Sequence, residues 1–408
     1  SDVKGMRSAD GGVSWGFGYT GHDDNSMYRV VRASDGKLYA ATSSVHDLYQ
    51  STRLADAQLD AAVGHVLVST DSAKTWTSIW TGKGVAWVEP DPLDAKTMYA
   101  SVVHSTAGGV MVTRDLDKGA AATWTKLAKP ARTEGHPYVL AVLADGSLLS
   151  SWSGHRVTTG STTAFTASSG VHRLAKGATA WQDLSDPGMN YWTKDVVVDP
   201  SDKTGRTWWV AVFSGWGGAP NGLGGLYRTV DAGAHWTRVW NSDRVESVGI
   251  PPDGTEIYAT TETEGLWHAP DRTASGPVFA QVGSYPFRQP VRIFFNPSDP
   301  AEMWVTSFGN SLRMGRRDGR PIVGVGNRVP SGGMVARLRN GFLYLEGTPG
   351  SRNVSVRVSD LSGKIIHAGV VPLDASGRAR VPFAGTGKIL FVRVADGARS
   401  RVSRVLRE

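Results

Sequence analysis

One turn recurs along this chain, and no other feature constrains its fold as tightly. Its fullest copy runs from Ser8 through Asp10 and Gly12 to Ser14 and Trp15; others run from Ser69 through Asp71 to Thr75 and Trp76, and from Thr229 through Asp231 and Gly233 to Trp236. An expanded copy joins Thr113 and Asp115 to Thr123 and Trp124, and a worn one keeps Gly177, Thr179 and Trp181. The spacing has a chemical cause. A short Asp side chain accepts bonds from nearby backbone N–H groups, Gly tolerates positive φ, and the closing Trp folds over the turn as a local core. The motif predicts a hairpin staple, not a catalytic site.

A second repeat runs in phase with the first. A strand, a turn rich in Asp, Pro and Gly, and another strand occur at Val30 to Thr42, Val85 to Val102, Val139 to Ser151, Asp195 to Val212, Glu246 to Thr260 and Arg292 to Thr306. With Ser34, Pro90, Ala144, Pro200, Pro251 and Pro297 as equivalent turn positions, the intervals are 56, 54, 56, 51 and 46 residues. That is the spacing of propeller blades. Each second strand carries an apolar or aromatic residue at one place (Tyr39, Tyr99, Leu149, Trp209, Tyr258, Trp304), as expected of the contact that packs one blade on the next. The reading is an all-β chain: a six-bladed, alternatively seven-bladed, β-propeller over residues 1–320, a linker over 321–334, and a small C-terminal β-sandwich over 335–408. Because the first turn has only seven residues before it, the opening segment is expected to complete the last blade and close the ring. The alternative is a natural protein that continues upstream.

Composition fits a large, secreted or cell-surface all-β protein: 49 Gly, 20 Pro and 15 Trp suit many tight turns and blade-packing aromatics. No Cys is present, which excludes a disulfide framework and thiolate chemistry. No apolar run reaches membrane-spanning length. Charge separates the tail. Ser311 to Glu408 carry 16 Arg and 2 Lys against 6 acidic residues, a net +12, which leaves −5 for the residues before it. With no aromatic platform seen between the arginines, nucleic-acid binding is not expected.

Binding is sought at one end of the ring, where loops on a rigid scaffold gather. One loop set carries Arg132, Glu134, His136, Tyr138, Tyr191, Trp192 and Arg288; the other carries His46, Tyr49, His104, Trp152, His155, Trp216 and Asn221, with Glu262 in the fifth repeat. Rings, amides, imidazoles and arginines are what a sugar cleft needs, since sugars stack apolar faces on rings and offer hydroxyls to polar groups. Stepping back five residues from each turn position gives Arg29, Val85, Val139, Asp195, Glu246 and Arg292, whereas two residues on the column is apolar throughout (Val31, Trp87, Ala141, Val197, Val248, Phe294). Asp195 and Glu246 are therefore the candidate acid and base, with Arg29 and Arg292 beside them; a structural network of arginines and carboxylates is the alternative. His and Tyr residues of the loops, with Arg53, Arg132 or Arg288 holding a uronate, would suit a polysaccharide lyase. No spacing of zinc ligands occurs, and Asp23, Asp24 and Asn25 are a weak calcium signal, so no metal or cofactor is expected.

The repeated turn resembles the Asp-box, or bacterial neuraminidase repeat, and residues 8–317 are similar to the propellers of sialidases, xyloglucanase-type glycoside hydrolases and sortilin-like receptors. Val198 to Asp202 and Tyr227 to Asp231 are most similar to the xyloglucanase type. That resemblance implies a glycoside hydrolase on a polysaccharide, with a glycan- or protein-binding surface propeller as the alternative. The Arg-Ile-Pro segment of sialidases is absent, and xyloglucanases place one catalytic Asp on each of two propellers, so no catalytic pair carries over. The segment Val356 to Lys364, with Gly385 to Gly387 and Phe391 to Val394, resembles the sorting domains of type nine secretion, though its arginine content departs from them.

Overall fold

The computed structural model describes residues 4–12, 14–159, 162–189, 191–214, 221–320, 335–339, 341–346, 353–359, 364–383, 389–396 and 399–406. The chain forms two compact units, Ser1–Ile322 and Val323–Glu408. The first is a β-propeller. Five sheets have four antiparallel strands each, and their innermost strands are Ser26–Arg32, Val85–Pro90, Pro137–Val142, Trp192–Val198 and Val245–Gly249. A sixth sheet has three described strands, Pro290–Asn296, Asp299–Ser307 and Leu312–Arg316. Helical structure is confined to connections, as in Leu48–Gln50, Asp56–Asp60 and Leu116–Ala121. No helix among the described residues is long and apolar enough to cross a membrane.

Packing between sheets follows the second strands. Tyr39 sits in one core with Val88 and Met98 of the next sheet, Trp209 with Val248 and Ile257, and Tyr258 with Ile293 and Met303. Leu149 shares a core with Val196 and Val210, and Tyr99 packs against that same core. The column identified in the sequence thus forms the seam between neighbouring sheets. Trp304, its last member, meets the opening segment instead: a Cβ on Gly12 would lie 2.4 Å from the Trp304 ring. Strand pairing does not accompany that contact. Among the described residues, Arg7 pairs with Gly16 and Thr20 with Thr75, and none of residues 4–20 joins the ladder of the sixth sheet. Among the described residues the opening segment adds no strand to the sixth sheet and meets it through the Trp304 ring.

The turn motif folds as its chemistry dictates. Asp71 accepts bonds from the Thr75 amide (2.9 Å), the Thr75 hydroxyl (2.7 Å) and the Lys74 amide (3.1 Å), and Asp10 and Asp231 repeat the pattern with Ser14 and His235. In the worn copy the ring alone persists, Trp181 donating its indole N–H to the Ala128 carbonyl at 2.7 Å.

The second unit has a core of alternate residues from its strands, including Leu343, Leu345, Val354, Val356, Val358, Val392 and Val394. Its two sheets order as Val335–Arg339, Phe342–Glu346, Arg378–Pro382 and as Ile365–Pro372, Asn353–Ser359, Ile389–Asp396, Arg399–Leu406. Residues 321–334, expected as a linker, lie outside the described residues.

Candidate functional site at the channel mouth

Every inner strand of the propeller carries a bulge at its mouth end. Thr42 faces Met27 while Ala41 faces Arg29, so Tyr28 is extra; Ala86, Lys194, Glu246 and Val291 are extra in the same way. In the third sheet Trp152 faces Pro137 and Ser150 faces Leu140, three steps against two, which places the bulge at Tyr138 and Val139. A bulge re-aims the side chains beside it. The residues that follow the bulge, Arg29, Trp87, Val139, Asp195, Ser247 and Arg292, form the true column. Stepping five residues from Pro90 and Pro251 starts two places and one place short of the equivalent turn positions, Pro92 and Pro252, and so puts Val85 in the place of Trp87 and Glu246 in the place of Ser247. Asp195 and Glu246 are consequently not equivalent: one follows its bulge, and the other is a bulge.

Their partners differ accordingly. Asp195 is 1% exposed, accepts a bond from the Ser247 hydroxyl at 2.5 Å, and lies 3.2 Å from Arg292. Glu246 is 4% exposed and pairs with Lys194, the bulge residue of the neighbouring strand. Arg29 and Arg292 both lie over the Trp87 ring, at 4.1 and 4.8 Å from its centre, and Arg29 stands 3.6 Å from Glu89. Glu262 completes the group with Arg244 at 3.2 Å. Burial pushes the Glu89 and Glu262 carboxyls up, against the pull of Arg29 and Arg244 respectively. Trp192 is buried, with the Lys194 ammonium 4.1 Å from its ring centre, and Tyr138 meets it edge-on at 6.2 Å. Burial raises the Tyr138 phenol far above its ordinary range, which removes it as a base near neutral pH.

Three of the four loop histidines converge. His136 is buried with its ring 4.9 Å from that of His155, edge to face, and burial followed by the His155 charge pushes its pKa down to about 3. His155 stands 3.3 Å from Asp56 and 4.0 Å from Glu134 and bonds to the Leu54 carbonyl at 3.2 Å. His104 accepts the Thr106 and Ala107 amides at Nδ1, 3.2 Å from Asp60. The fourth, His46, is exposed and turns to Asp47 at 2.5 Å.

Several expected ligand contacts are taken up by the scaffold. Arg132 clamps Asp183 (2.7 and 3.2 Å), the Ser185 hydroxyl and the carbonyls of Ala167 and Ser169. Trp152 is wholly buried in the core shared by the third and fourth sheets. Asn221 accepts bonds from Ser214 and Leu223, and its amide donates to Asp243. Tyr49 lies in the Leu48–Gln50 turn, Arg288 is exposed with its carbonyl bonded to Gly265, and Trp216 lies outside the described residues. The Asp23, Asp24 and Asn25 oxygens turn to Lys4, to His65 with Thr42, and to Ser26, so they do not converge. No cluster of metal-ligating side chains occurs among the described residues.

One shelf was not legible in the sequence. The Tyr191 and Phe165 rings meet edge to face at 4.4 Å, and the Arg53 guanidinium lies 5.8 Å from the Phe165 ring centre. Phe165 pairs with Arg156 across a hairpin, and Arg156 donates its amide to Thr52, tying the loop of the first sheet to that of the third. Burial lowers the Arg53 guanidinium, Arg156 adds to the lowering, and Glu262 opposes it. The shelf is half-exposed, whereas Asp195, Glu246 and Glu262 are enclosed.

Neither a family model nor a curated protein matches the chain. Solved structures resemble it in shape: the outer coat vertex of COPII on membranes (TM-score 0.48, 10% identity, 82% of this chain and 81% of that one) is one. Another is the extracellular domain assigned to a hybrid two-component system of B. thetaiotaomicron (0.46, 10%, 93% and 53%), of which this chain spans about half. A third is a protein assigned as a 6-phosphogluconolactonase from Bacteroides uniformis (0.41, 12%, 89% and 90%). No residue role is carried over from them.

Proposed function

We propose that this chain is a carbohydrate-binding β-propeller of the Asp-box type, secreted or displayed at a cell surface, which holds a polysaccharide at its channel mouth without cleaving it. One observation carries the choice of binding over hydrolysis. Four carboxylates at the mouth are each engaged by a cation (Glu89 with Arg29, Asp195 with Arg292, Glu246 with Lys194, Glu262 with Arg244), and the candidate pair Asp195 and Glu246 is enclosed. A general acid and base must reach the bond they act on. The half-exposed shelf of Tyr191, Phe165, Arg53 and Arg156 is where a sugar face can stack, with guanidiniums beside it for its oxygens. Six blades followed by a sandwich of the sorting type belong to the same proposal.

The test is a binding panel of neutral glucans, xyloglucan and uronate polymers, read by calorimetry beside assays for reducing ends and unsaturated products. Binding without product, lost in Tyr191→Ala/Phe165→Ala, is expected. Product formation overturns the reading in favour of the hydrolase or the lyase. Hydrolysis is favoured by one direction of shift: burial pushes the Glu262 carboxyl up, the direction a general acid requires. Glu262→Gln abolishing turnover on a glucan, with the fold intact, would establish it.

A further inference from the structure

We propose a second carbohydrate site, on the outer face of the three-stranded sheet in the second unit, whose ligand is an acidic polysaccharide bearing carboxylate or sulfate groups. It does not rest on the reading of the propeller mouth. The core takes Leu343, Leu345, Ala379 and Val381, so the pleat turns Phe342, Tyr344, Arg378 and Arg380 to the opposite face. Register sets the middle row as Arg337, Tyr344 and Arg380 across three strands, and the next as Arg339, Phe342 and Pro382. The Arg380 guanidinium lies 3.6 Å from the Phe342 ring centre and 5.8 Å from that of Tyr344, itself 37% exposed.

Charge identifies the ligand's sign. The unit Val323–Glu408 carries 14 Arg and Lys against 5 Asp and Glu. In the register Glu346 stands opposite Arg378, whereas Arg380 stands opposite Tyr344. A guanidinium laid flat on a ring keeps its N–H edge outward, in the fork that matches a carboxylate or sulfate. The same stacking covers the Phe342 face that a nucleobase would need, which disfavours single-stranded nucleic acid. The partly exposed Tyr344 suits a sugar face. Same-face residues along a strand recur at roughly 7 Å, so the surface presents charge in rows and fits an extended polymer better than a compact anion.

The experiment is affinity electrophoresis of the full chain through gels containing polygalacturonate, dextran sulfate or neutral dextran, with a thymidine oligonucleotide as a separate probe. Retardation by at least one anionic polymer and not by neutral dextran is expected, with loss of retardation as salt rises. Arg378→Gln/Arg380→Gln should weaken it about tenfold at unchanged melting temperature, and Arg378→Lys/Arg380→Lys should fall between. Tyr191→Ala/Phe165→Ala in the propeller should leave it unchanged, so the two sites fail separately. The proposal is overturned by no retardation with either anionic polymer, by equal retardation in neutral dextran, by tighter binding of the oligonucleotide, or by retardation that the glutamine variants do not alter.

Discussion

Arg292 of the sixth sheet and Asp195 of the fourth lie 3.2 Å apart, a pair that joins two non-adjacent sheets across the propeller's channel. Asp195 is enclosed, and the Ser247 hydroxyl takes its other oxygen. Asp195→Asn leaves the arginine without its counter-charge and is expected to lower unfolding free energy by about 3 kcal/mol in a urea titration. Arg292 retains some exposure, so Arg292→Met should cost less than removal of a fully buried partner. An unchanged stability in Asp195→Asn together with lost turnover on a glycan would instead assign the carboxylate to chemistry.

Acid should destabilise the propeller before its carboxylates titrate. Burial pushes His136 to about 3 and His172 to about 4, Asp183 partly opposing the latter. In the unfolded chain both titrate near 6.5, roughly the free imidazole value. The unfolded state therefore binds protons that the folded state refuses; stability is full above about pH 6.5 and falls as pH drops toward 4 and then 3. The slope approaches about 1.4 kcal/mol per pH unit for each histidine. Urea midpoints at pH 7 and 5 should separate in the native chain and draw together in His136→Asn/His172→Asn.

Gly135 holds its place for lack of a side chain. A Cβ there would lie 1.7 Å from the His104 carbonyl, while the His104 amide bonds the Gly135 carbonyl at 3.1 Å. Neither backbone can yield alone. Gly135→Ala should destabilise by about 1–3 kcal/mol and shift the imidazole resonances of His104 and His136 in an NMR spectrum.

The repeated turn makes a local prediction. Bonds from the Thr75 amide and hydroxyl hold the Asp71 carboxyl down to about 2. Its contribution to stability is present above the ordinary carboxylate range and is lost as pH falls through that value. Asp71→Ala should speed hydrogen exchange at the Lys74 and Thr75 amides severalfold at neutral pH, with a smaller change at Asp231, which serves another copy of the turn.

What repeats in this chain was legible, and what happens once was not. The turn and the seam residues Tyr39, Leu149, Trp209 and Tyr258 recur because each sheet meets its neighbour in the same way. The bulge leaves no trace in an alternating pattern, and paired prolines (Pro90 with Pro92, Pro251 with Pro252) hide which of them is the turn, so the sequence equates Glu246 with Asp195 and passes over Glu89, two places beyond Trp87. Lys194, the partner of Glu246, was hidden inside a loop segment. The shelf of Arg53, Phe165 and Tyr191 is assembled from three connections distant in sequence, which no local period reports. Arg132 and Trp152 have the right chemistry for a ligand and are claimed by the scaffold instead, Arg132 by Asp183 at the surface and Trp152 by the core.

The bulge also separates inheritance from invention in this architecture. Since the extra residue stands outside the ladder, its identity is under no demand from the pairing that holds each sheet together, and the six positions within one chain are already Tyr28, Ala86, Tyr138, Lys194, Glu246 and Val291. What limits them is burial: Ala86, Lys194 and Glu246 are enclosed, and Lys194 and Glu246 neutralise each other, so those two can change only together. The ladder leaves these positions open, and the channel lining closes them again.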